Sequence, residues 1–397
     1  MGVDLNDTST PTPPQQEERF RNIGSPFMLA NVNFHGISAE AAESGASVKV
    51  WVRGSMTSDQ SVFHRVAPNI ISCLDFCAKQ NGFHPRFYNA NTILLVIRPD
   101  DSAELWVDSA ATTIDIIPKK RIEGGSIIFN SDIADVTEMW FPLVNISIYD
   151  KIVVIFREGF RFGLFFDFNE DMSLDISLAK RDLGALHRKM KYADLYAVFS
   201  ANEIFSKIIV DGWFPFVEIM NIEFRNLFQC YEDGLSTHEE ELKIVDSFND
   251  ERIDRMFDRW MTKEHFKDRE QIICSGLNAY KNRDWIACIK ILLTEIEGII
   301  GDAYFKSTGT HTRNINKMLD FVIEAANKMA GGKDTLFFPI EFAFYLKNFI
   351  YGNYDLENEK GVIARHAVGH GRAKAEHYTQ HRALQTILTL DQFAFYK

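Results

Sequence analysis

From about residue 178 the hydrophobic pattern of this chain is helical and stays so, whereas strand-like runs predominate before it, and that change constrains the fold more than any other feature. Before it, apolar residues alternate with polar ones or form short β-branched runs, as in SVKVWVRG (47–54) and TILLVIRP (92–99). Such runs predict strands. After it, apolar residues recur at helical spacing. We therefore expect an α+β chain, with a mixed β-rich N-terminal domain followed by an all-α helical bundle.

The N-terminal half combines strands with a helix. Residues 61–83 have helical spacing, and Pro68 is expected to kink this helix or to end its first turn. Further along, five apolar runs predict strands, and one of them is GSIIFNS (125–131). The turn REGFR predicts a hairpin in which Gly159 adopts the special backbone angles that glycine tolerates.

Composition and pattern divide the chain into four parts. Residues 1–19 are polar and rich in proline, which predicts a disordered tail. Residues 20–175 form the α+β domain, residues 176–264 a helical linker or extension, and residues 265–397 the helical bundle. A length of 397 residues also favours two domains over one.

The helical half contains one segment that is dense in charge and one that is clearly amphipathic. In residues 238–270, opposite charges at helical offsets favour exposed helix faces. The amphipathic segment follows, and its apolar stripe consists of Trp285, Ile289, Leu292, Leu293, Ile296, Ile299 and Ile300. Thr312 is a candidate N-cap for the next helix. The amphipathic segment should therefore be a core helix.

Net charge and cysteine content limit the function. A net charge of −12 disfavours a protein that coats RNA or DNA by bulk electrostatics, so any nucleic-acid contact must be local. The five cysteines are odd in number and widely spaced, which predicts neither a disulfide framework nor a zinc site. No signal peptide or membrane-spanning apolar run is found, so we expect a cytoplasmic protein without membrane contact.

Residues 365–382, RHAVGHGRAKAEHYTQHR, contain four of the 11 histidines of the chain, together with three arginines and one lysine. His366 and His370, like His377 and His381, are spaced so that a helix could present each pair to one metal ion. Glycines flank His370, however, and no acid occupies the position that a metalloprotease-type motif needs. His377 and His381 are more typical of a loop and a helix start.

Arg365 and His370 together suit phosphodiester chemistry. A histidine transfers protons near neutral pH, and an arginine binds a phosphate and stabilises the charge that builds on its oxygens. On RNA the 2′-hydroxyl supplies the nucleophile, so neither a metal nor another cofactor is required. The pair therefore favours RNA cleavage over metal binding.

The run Arg365-His366-Ala367-Val368-Gly369-His370 resembles the R-x4–6-H signature of HEPN domains, in which a polar residue usually follows the arginine. His366 fills that position, and the motif lies late in a helical bundle, before one last helix. The upstream stretch LLTEIEGIIGDAY is also similar to the corresponding helix of uncharacterised bacterial proteins. This resemblance covers about residues 265–397.

The resemblance implies a metal-independent endoribonuclease that acts as a homodimer or a higher homo-oligomer. Two motifs would face one cleft, with His370 of one copy as base and that of the other as acid. Arg365 would bind the scissile phosphate, and His366 would position it or tune His370. Among such proteins are toxins, abortive-infection effectors and CRISPR-linked nucleases. We therefore expect a toxin or a phage-defence or stress effector, with an antitoxin or sensor as a further partner.

Three further cations, Arg372, Lys374 and Arg382, follow the motif and are the candidates for binding the RNA backbone. They contribute to a local excess of positive charge, because residues 361–397 contain more lysine and arginine than aspartate and glutamate. This excess is the kind of local patch that an acidic chain would need for an RNA contact.

A second hypothesis is a non-catalytic interaction or scaffold protein that keeps the bundle without the activity. In that case Arg365 and His370 would cap a helix and pair singly with Glu297 or Asp302. Glu295 and Glu297 flank the apolar stripe, and at least one should face the site or form an inter-helix ion pair. A third hypothesis, a metal site, would bring three of the four clustered histidines around one point.

Overall fold

The computed structural model describes residues 20–168, 173–329, 334–352 and 364–396. The chain forms two units. Unit 1 contains the described residues of Met1–Thr113 and Met139–Asp182, and unit 2 contains those of Ile114–Glu138 and Leu183–Lys397. The tail expected at residues 1–19 lies outside the described residues. Residues 114–138, which the sequence pattern placed in the N-terminal domain, belong to the same unit as the later helices.

Strands occupy the first half of the chain and helices the second, so the chain is of mixed α+β type. The strands are β1 (Phe27–Leu29), β2 (Arg53–Thr57), β3 (Thr92–Ile97), β4 (Ala103–Val107), β5 (Thr113–Pro118), β6 (Ile133–Trp140), β7 (Lys151–Glu158) and β8 (Arg161–Asp167). Six of them form one sheet in the order β1-β4-β3-β7-β8-β2, in which all neighbours are antiparallel. The other two, β5 and β6, pair with each other.

Unit 1 is held together by helix α1 (Phe63–Gln80) on one face of the six-stranded sheet. Alternate residues of β3, namely Ile93, Leu95 and Ile97, share that face because side chains alternate along a strand. The β7–β8 hairpin turns at Gly159, whose φ of 60° confirms the predicted turn. Helix α1 continues through Pro68, so this residue does not end the helix after its first turn.

The helices that follow β8 are α2 (Ile176–Lys191), α3 (Ala193–Ser200), α4 (Asn202–Val210), α5 (Ile222–Glu232), α6 (His238–Ser247), α7 (Asp250–Trp260), α8 (Glu264–Lys267), α9 (Glu270–Lys281), α10 (Trp285–Thr308), α11 (Ile315–Met329), α12 (Pro339–Tyr345), α13 (Arg365–Gly369) and α14 (Gln380–Tyr396). A π-helical turn, Leu346–Ile350, extends α12. None of the helices in the described ranges is long and apolar enough to cross a bilayer.

Helix α14 lies at the centre of unit 2, and every residue from Ala383 to Tyr396 is buried. Its polar side chains have partners inside the core, as buried polar groups require. Gln392, for example, accepts a hydrogen bond from the backbone N–H of Val217 at 3.0 Å and donates one to the carbonyl of Phe337 at 3.2 Å. The helix therefore joins segments that are far apart in the sequence.

Three details of the sequence prediction are wrong. The strand expected at 47–54 forms later, at β2, where five residues pair with β8. Residues 125–131 are not a strand, and the strand in this region is β6, with five buried residues. The cap of α11 is Asn314 rather than Thr312, because the Asn314 side chain accepts from the backbone N–H of Asn316 at 3.0 Å.

Candidate functional site

Helix α13 contains the Arg365–His370 motif except for His370, which directly follows it, and the end of the helix is fixed by a glycine. Ala367 and Val368 are buried, and the helix packs against α10. The backbone N–H of Arg372 bonds to the carbonyl of Ala367 at 2.8 Å, and that of Gly371 bonds to Val368 at 3.2 Å. This is a Schellman motif, in which Gly371 takes a φ of 67°. His370 is therefore the last residue of the helical turn, and its exit direction is set by Gly371.

Arg365 pairs with a carboxylate of the neighbouring helix. Its Nη2 lies 2.8 Å from Oε2 of Glu297 on α10, and about a third of each side chain is exposed. The Nε atom of Arg365 is buried and has no hydrogen-bond partner among the described residues. Glu297 is thus the acid that the sequence could not distinguish from Asp302, and Arg365 contributes to the attachment of α13 to α10.

A tyrosine with a buried hydroxyl lies beside this ion pair. Tyr351 follows the π-helical turn, and its hydroxyl has no hydrogen-bond partner in the described part of the chain. Burial raises the pKa of Tyr351 above its ordinary value, the charge of Glu297 raises it further, and Arg365 opposes both effects. The phenol therefore remains protonated at neutral pH and is a donor next to the guanidinium.

His370 is exposed and lies on another side of the helix from Arg365. On an ideal helix, side chains five residues apart differ in direction by about 140°. Accordingly, Arg365 faces α10, whereas His370 is exposed to solvent. The backbone of His366 lies in α13, but its side chain is outside the described part of the structure. Within one chain, then, the guanidinium and the His370 imidazole do not share one face.

Two of the three cations expected to bind RNA lie at the surface. Arg372 is exposed, and so is Lys374, whose Nζ lies 3.7 Å from Oε1 of Glu376. An ion pair of this length between exposed side chains contributes little to stability. Both cations are therefore accessible to a solvent-borne anion, one and three residues after Gly371.

Arg382 has a different environment. Its Nη1 donates to the carbonyl of Asp211 at 2.6 Å and to Oε1 of Gln385 at 2.8 Å. The guanidinium lies over the ring of Phe349, 5.2 Å from the centroid, and burial lowers the pKa of Arg382. These contacts use the side chain inside the fold, which gives Arg382 a structural role in this conformation.

The other two described histidines of residues 365–382, His377 and His381, make different contacts from each other. Nδ1 of His377 accepts a hydrogen bond from the backbone N–H of Lys374 at 3.1 Å. His381 lies in the first turn of α14, where burial, followed by the charge of Arg382, lowers its pKa. In the described side chains, which exclude that of His366, no three histidine, cysteine, aspartate or glutamate residues converge on one point.

Two more acids of α10, one on each side of Glu297 in the sequence, form ion pairs with another helix. Arg269, the N-cap residue of α9, pairs with both Glu295 and Asp302, the latter at 2.7 Å. It lies across Gly298, where a Cβ atom would be 2.6 Å from the guanidinium carbon. Arg269 could not be predicted as a partner of these acids, because nothing in the sequence shows which face of α9 meets α10.

A buried charge cluster in unit 2 was also missed. Three arginines of α7 surround Glu218, whose side chain is 1% exposed: Arg255 at 2.8 Å, Arg259 at 2.9 Å and Arg252 at 3.4 Å. Burial opposes the ionisation of Glu218, but these cations, Arg259 foremost, hold its pKa below the ordinary value. The expectation that residues 238–270 present only solvated faces is therefore wrong for Arg252 and Arg259.

Two further ionisable groups complete this cluster. Lys119 is 4% exposed, and burial lowers its pKa to about 8. Asp391 of α14 accepts from Nε1 of Trp260 at 2.7 Å and pairs with Arg259. The arginine spacing of α7, at positions i, i+3 and i+7, places all three guanidinium groups on one helix face. That spacing was the one available signal for the cluster.

Comparison with known proteins finds no family model, no curated protein and no solved structure that matches this chain. Function must therefore be inferred from the residues and their geometry.

Proposed function

We propose that this chain is a metal-independent endoribonuclease of the HEPN type that acts as a dimer in the cytoplasm, as a toxin or a phage-defence or stress effector. The observation that carries the proposal is the position of His370. It is exposed at the end of a short helix, directly before a glycine-fixed turn with the accessible cations Arg372 and Lys374. A proton-transferring imidazole beside two accessible cations suits a polyanionic substrate.

The proposed reaction is transfer of the phosphodiester to the adjacent 2′-hydroxyl. His370 of one copy accepts the 2′-hydroxyl proton while the 2′-oxygen attacks phosphorus. The protonated His370 of a second copy donates a proton to the departing 5′-oxygen. The products are a 2′,3′-cyclic phosphate and a 5′-hydroxyl, and no metal or oxidant is needed.

Arg365 has to change partner in this scheme. In the isolated chain it is paired with Glu297, so it can reach a phosphate only by giving up that carboxylate. A partly exposed ion pair of this kind costs about 1 kcal/mol or less to break. A phosphate that accepts two hydrogen bonds from the guanidinium can offset this cost. Dimer formation would bring the two exposed His370 side chains and the two arginines to one cleft.

The first test is incubation of purified wild type, His370→Ala and a matched control with total RNA in EDTA. His84→Ala is the control, because His84 is an exposed histidine of unit 1. We expect the wild type and His84→Ala to leave 2′,3′-cyclic phosphate ends and His370→Ala to leave none. Light scattering on the purified wild type without RNA should give the mass of a dimer. Equal cleavage by all three proteins would attribute the activity to a contaminant.

The second candidate function is that of a non-catalytic scaffold. It is favoured by the Arg365–Glu297 pair, since an arginine that only attaches α13 to α10 needs no substrate. In that case no cleavage would be seen with any RNA, and His370→Ala would behave like wild type in every assay. Loss of growth on expression of the wild type, but not of His370→Ala, would exclude the scaffold.

A further inference from the structure

A cavity of about 350 Å³ opens in unit 1, beside the edge strand β2 and the start of α1. Its walls are mostly apolar and include Trp51, Val62 and Phe166. The volume lies in the range, roughly 300–1,000 Å³, of pockets that bind small organic molecules. Apolar walls with a few polar groups at the rim are also typical of such pockets.

The backbone keeps this cavity open. Gly54 of β2 lies against the ring of Phe166, and a Cβ atom there would be 2.9 Å from the ring. Glycine therefore leaves room for this ring, which is 1% exposed and lies at the back of the cavity. Trp51 forms a wall, and its position is fixed by two backbone hydrogen bonds with Ile37, at 2.7 and 2.8 Å. The indole is 54% exposed and does not fill the space.

The rim holds charges of both signs. Of the two arginines, Arg53 is neutralised by Asp167, with Nε and Oδ2 2.6 Å apart. Arg65, in the first turn of α1, and Glu40 make no ion pair with any described residue. The rim thus offers one uncompensated cation and one uncompensated anion above an apolar, aromatic interior.

We propose that this cavity binds a small zwitterion with a ring-sized apolar body, of the chemical class of a free aromatic amino acid. The carboxylate would bind the guanidinium of Arg65, the ammonium group would bind Glu40, and the ring would lie against the exposed indole of Trp51. Unit 1 would then be a ligand-binding unit. This inference does not depend on the proposed ribonuclease activity.

The test compares three probes that share a phenyl ring and differ in charge, with full-length protein in a calorimeter. L-Phenylalanine is the zwitterion, 3-phenylpropionate the anion and phenethylamine the cation. We expect L-phenylalanine to bind most tightly. Arg65→Gln should weaken it about fivefold, to the level of phenethylamine, and Glu40→Gln should weaken it to the level of 3-phenylpropionate.

Three further variants serve as controls. Arg86→Gln and Glu43→Gln remove exposed charges elsewhere in unit 1 and should leave the affinity unchanged. Ala39→Phe fills the cavity from its wall and should abolish binding, with thermal unfolding used to confirm that the variant is folded. Tighter binding of 3-phenylpropionate, with a gain in Glu40→Gln, would overturn the proposal in favour of an anion site. Binding that Ala39→Phe leaves unchanged, or no binding of any probe, would overturn it outright.

Discussion

Nη2 of Arg365 and Oε2 of Glu297 lie 2.8 Å apart, and this pair joins the helix that carries the histidine motif to the longest helix of unit 2. Two roles compete for the same guanidinium. It either attaches α13 to α10 or exchanges Glu297 for a phosphate. Substitution of the acid separates these roles, because it removes the partner and leaves the arginine.

Glu297→Gln should lower the free energy of unfolding by about 1 kcal/mol or less, since the pair is partly exposed. If Arg365 binds RNA, the variant should also bind RNA more tightly, because the guanidinium is no longer occupied. Urea unfolding and filter binding measure the two effects. Glu295→Gln is the matched control, since its carboxylate pairs with Arg269 instead and should leave RNA affinity unchanged. Weaker RNA binding by Glu297→Gln would contradict the exchange.

The exposed and internal arginines should respond differently to removal of charge. Arg372→Gln combined with Lys374→Gln should leave stability unchanged and reduce the slope of log affinity for single-stranded RNA against log salt by about 1.4. Arg382→Gln should leave that slope unchanged but lower the free energy of unfolding by about 1–3 kcal/mol, because Oε1 of the buried Gln385 loses its donor. A salt slope that falls only in Arg382→Gln would reverse our assignment.

The two glycines that flank His370 should give opposite results with alanine. Gly371→Ala forces a side chain into a φ of 67° and should lower the free energy of unfolding by about 1–2 kcal/mol. Gly369→Ala adds a methyl group to the end of α13 with no atom within 4 Å, and it should raise stability by about 0.5–1 kcal/mol. Thermal unfolding measures both, and equal effects would argue against the turn described here.

Removal of the acid at the centre of the arginine cluster should be costly. Glu218→Gln leaves Arg252 and Arg259 largely buried without their shared partner and should lower the free energy of unfolding by about 3–5 kcal/mol. Glu223→Gln is the control, because Glu223 is more exposed and bonds only Arg252 among these arginines. If urea unfolding shows a similar loss for both variants, the charges around Glu218 are not coupled as proposed.

Lys119 should make stability depend on pH in the alkaline range. Its pKa is about 8 in the folded chain and 10.5 for an unperturbed lysine, so between these values the unfolded chain binds more protons. Stability should therefore rise with pH across this window, by about 3 kcal/mol in total. Lys119→Met should abolish the rise, whereas Lys120→Met, in the neighbouring exposed lysine, should preserve it. Parallel curves for wild type and Lys119→Met would exclude this role.

The sequence predicted those parts of the fold that depend on the period of apolar residues. Six residues of the stripe on α10, from Ile289 to Ile300, are buried as expected. The period of apolar residues does not show, however, which side chains contact each other. The strand at β6 was missed because Asp135 interrupts its apolar run, yet that carboxylate is buried and accepts from Thr335 and from the backbone of Leu336.

The candidate site shows the same limit. Its residues could be selected from the spacing of Arg365 and His370, but the partner of Arg365 could not. Glu297 and Asp302 lie five residues apart on α10, and only the packing of α13 decides between them. The sequence pattern predicted the α7 arginines to be surface charges. Their partner, the buried carboxylate of Glu218, lies 34 to 41 residues earlier, and a local charge pattern does not show such a contact.

The burial of helix α14 has a consequence for folding of the chain during its synthesis on the ribosome. Nascent chains emerge from their N-terminus, and domains generally fold as units in that order. Every other element of unit 2 leaves the ribosome before Ala383–Tyr396, and α10, α11 and α7 all pack against that segment. Until it emerges, the apolar faces that α7, α10 and α11 pack against it stay uncovered, so the nascent chain should depend on chaperones until residues 383–396 have left the ribosome.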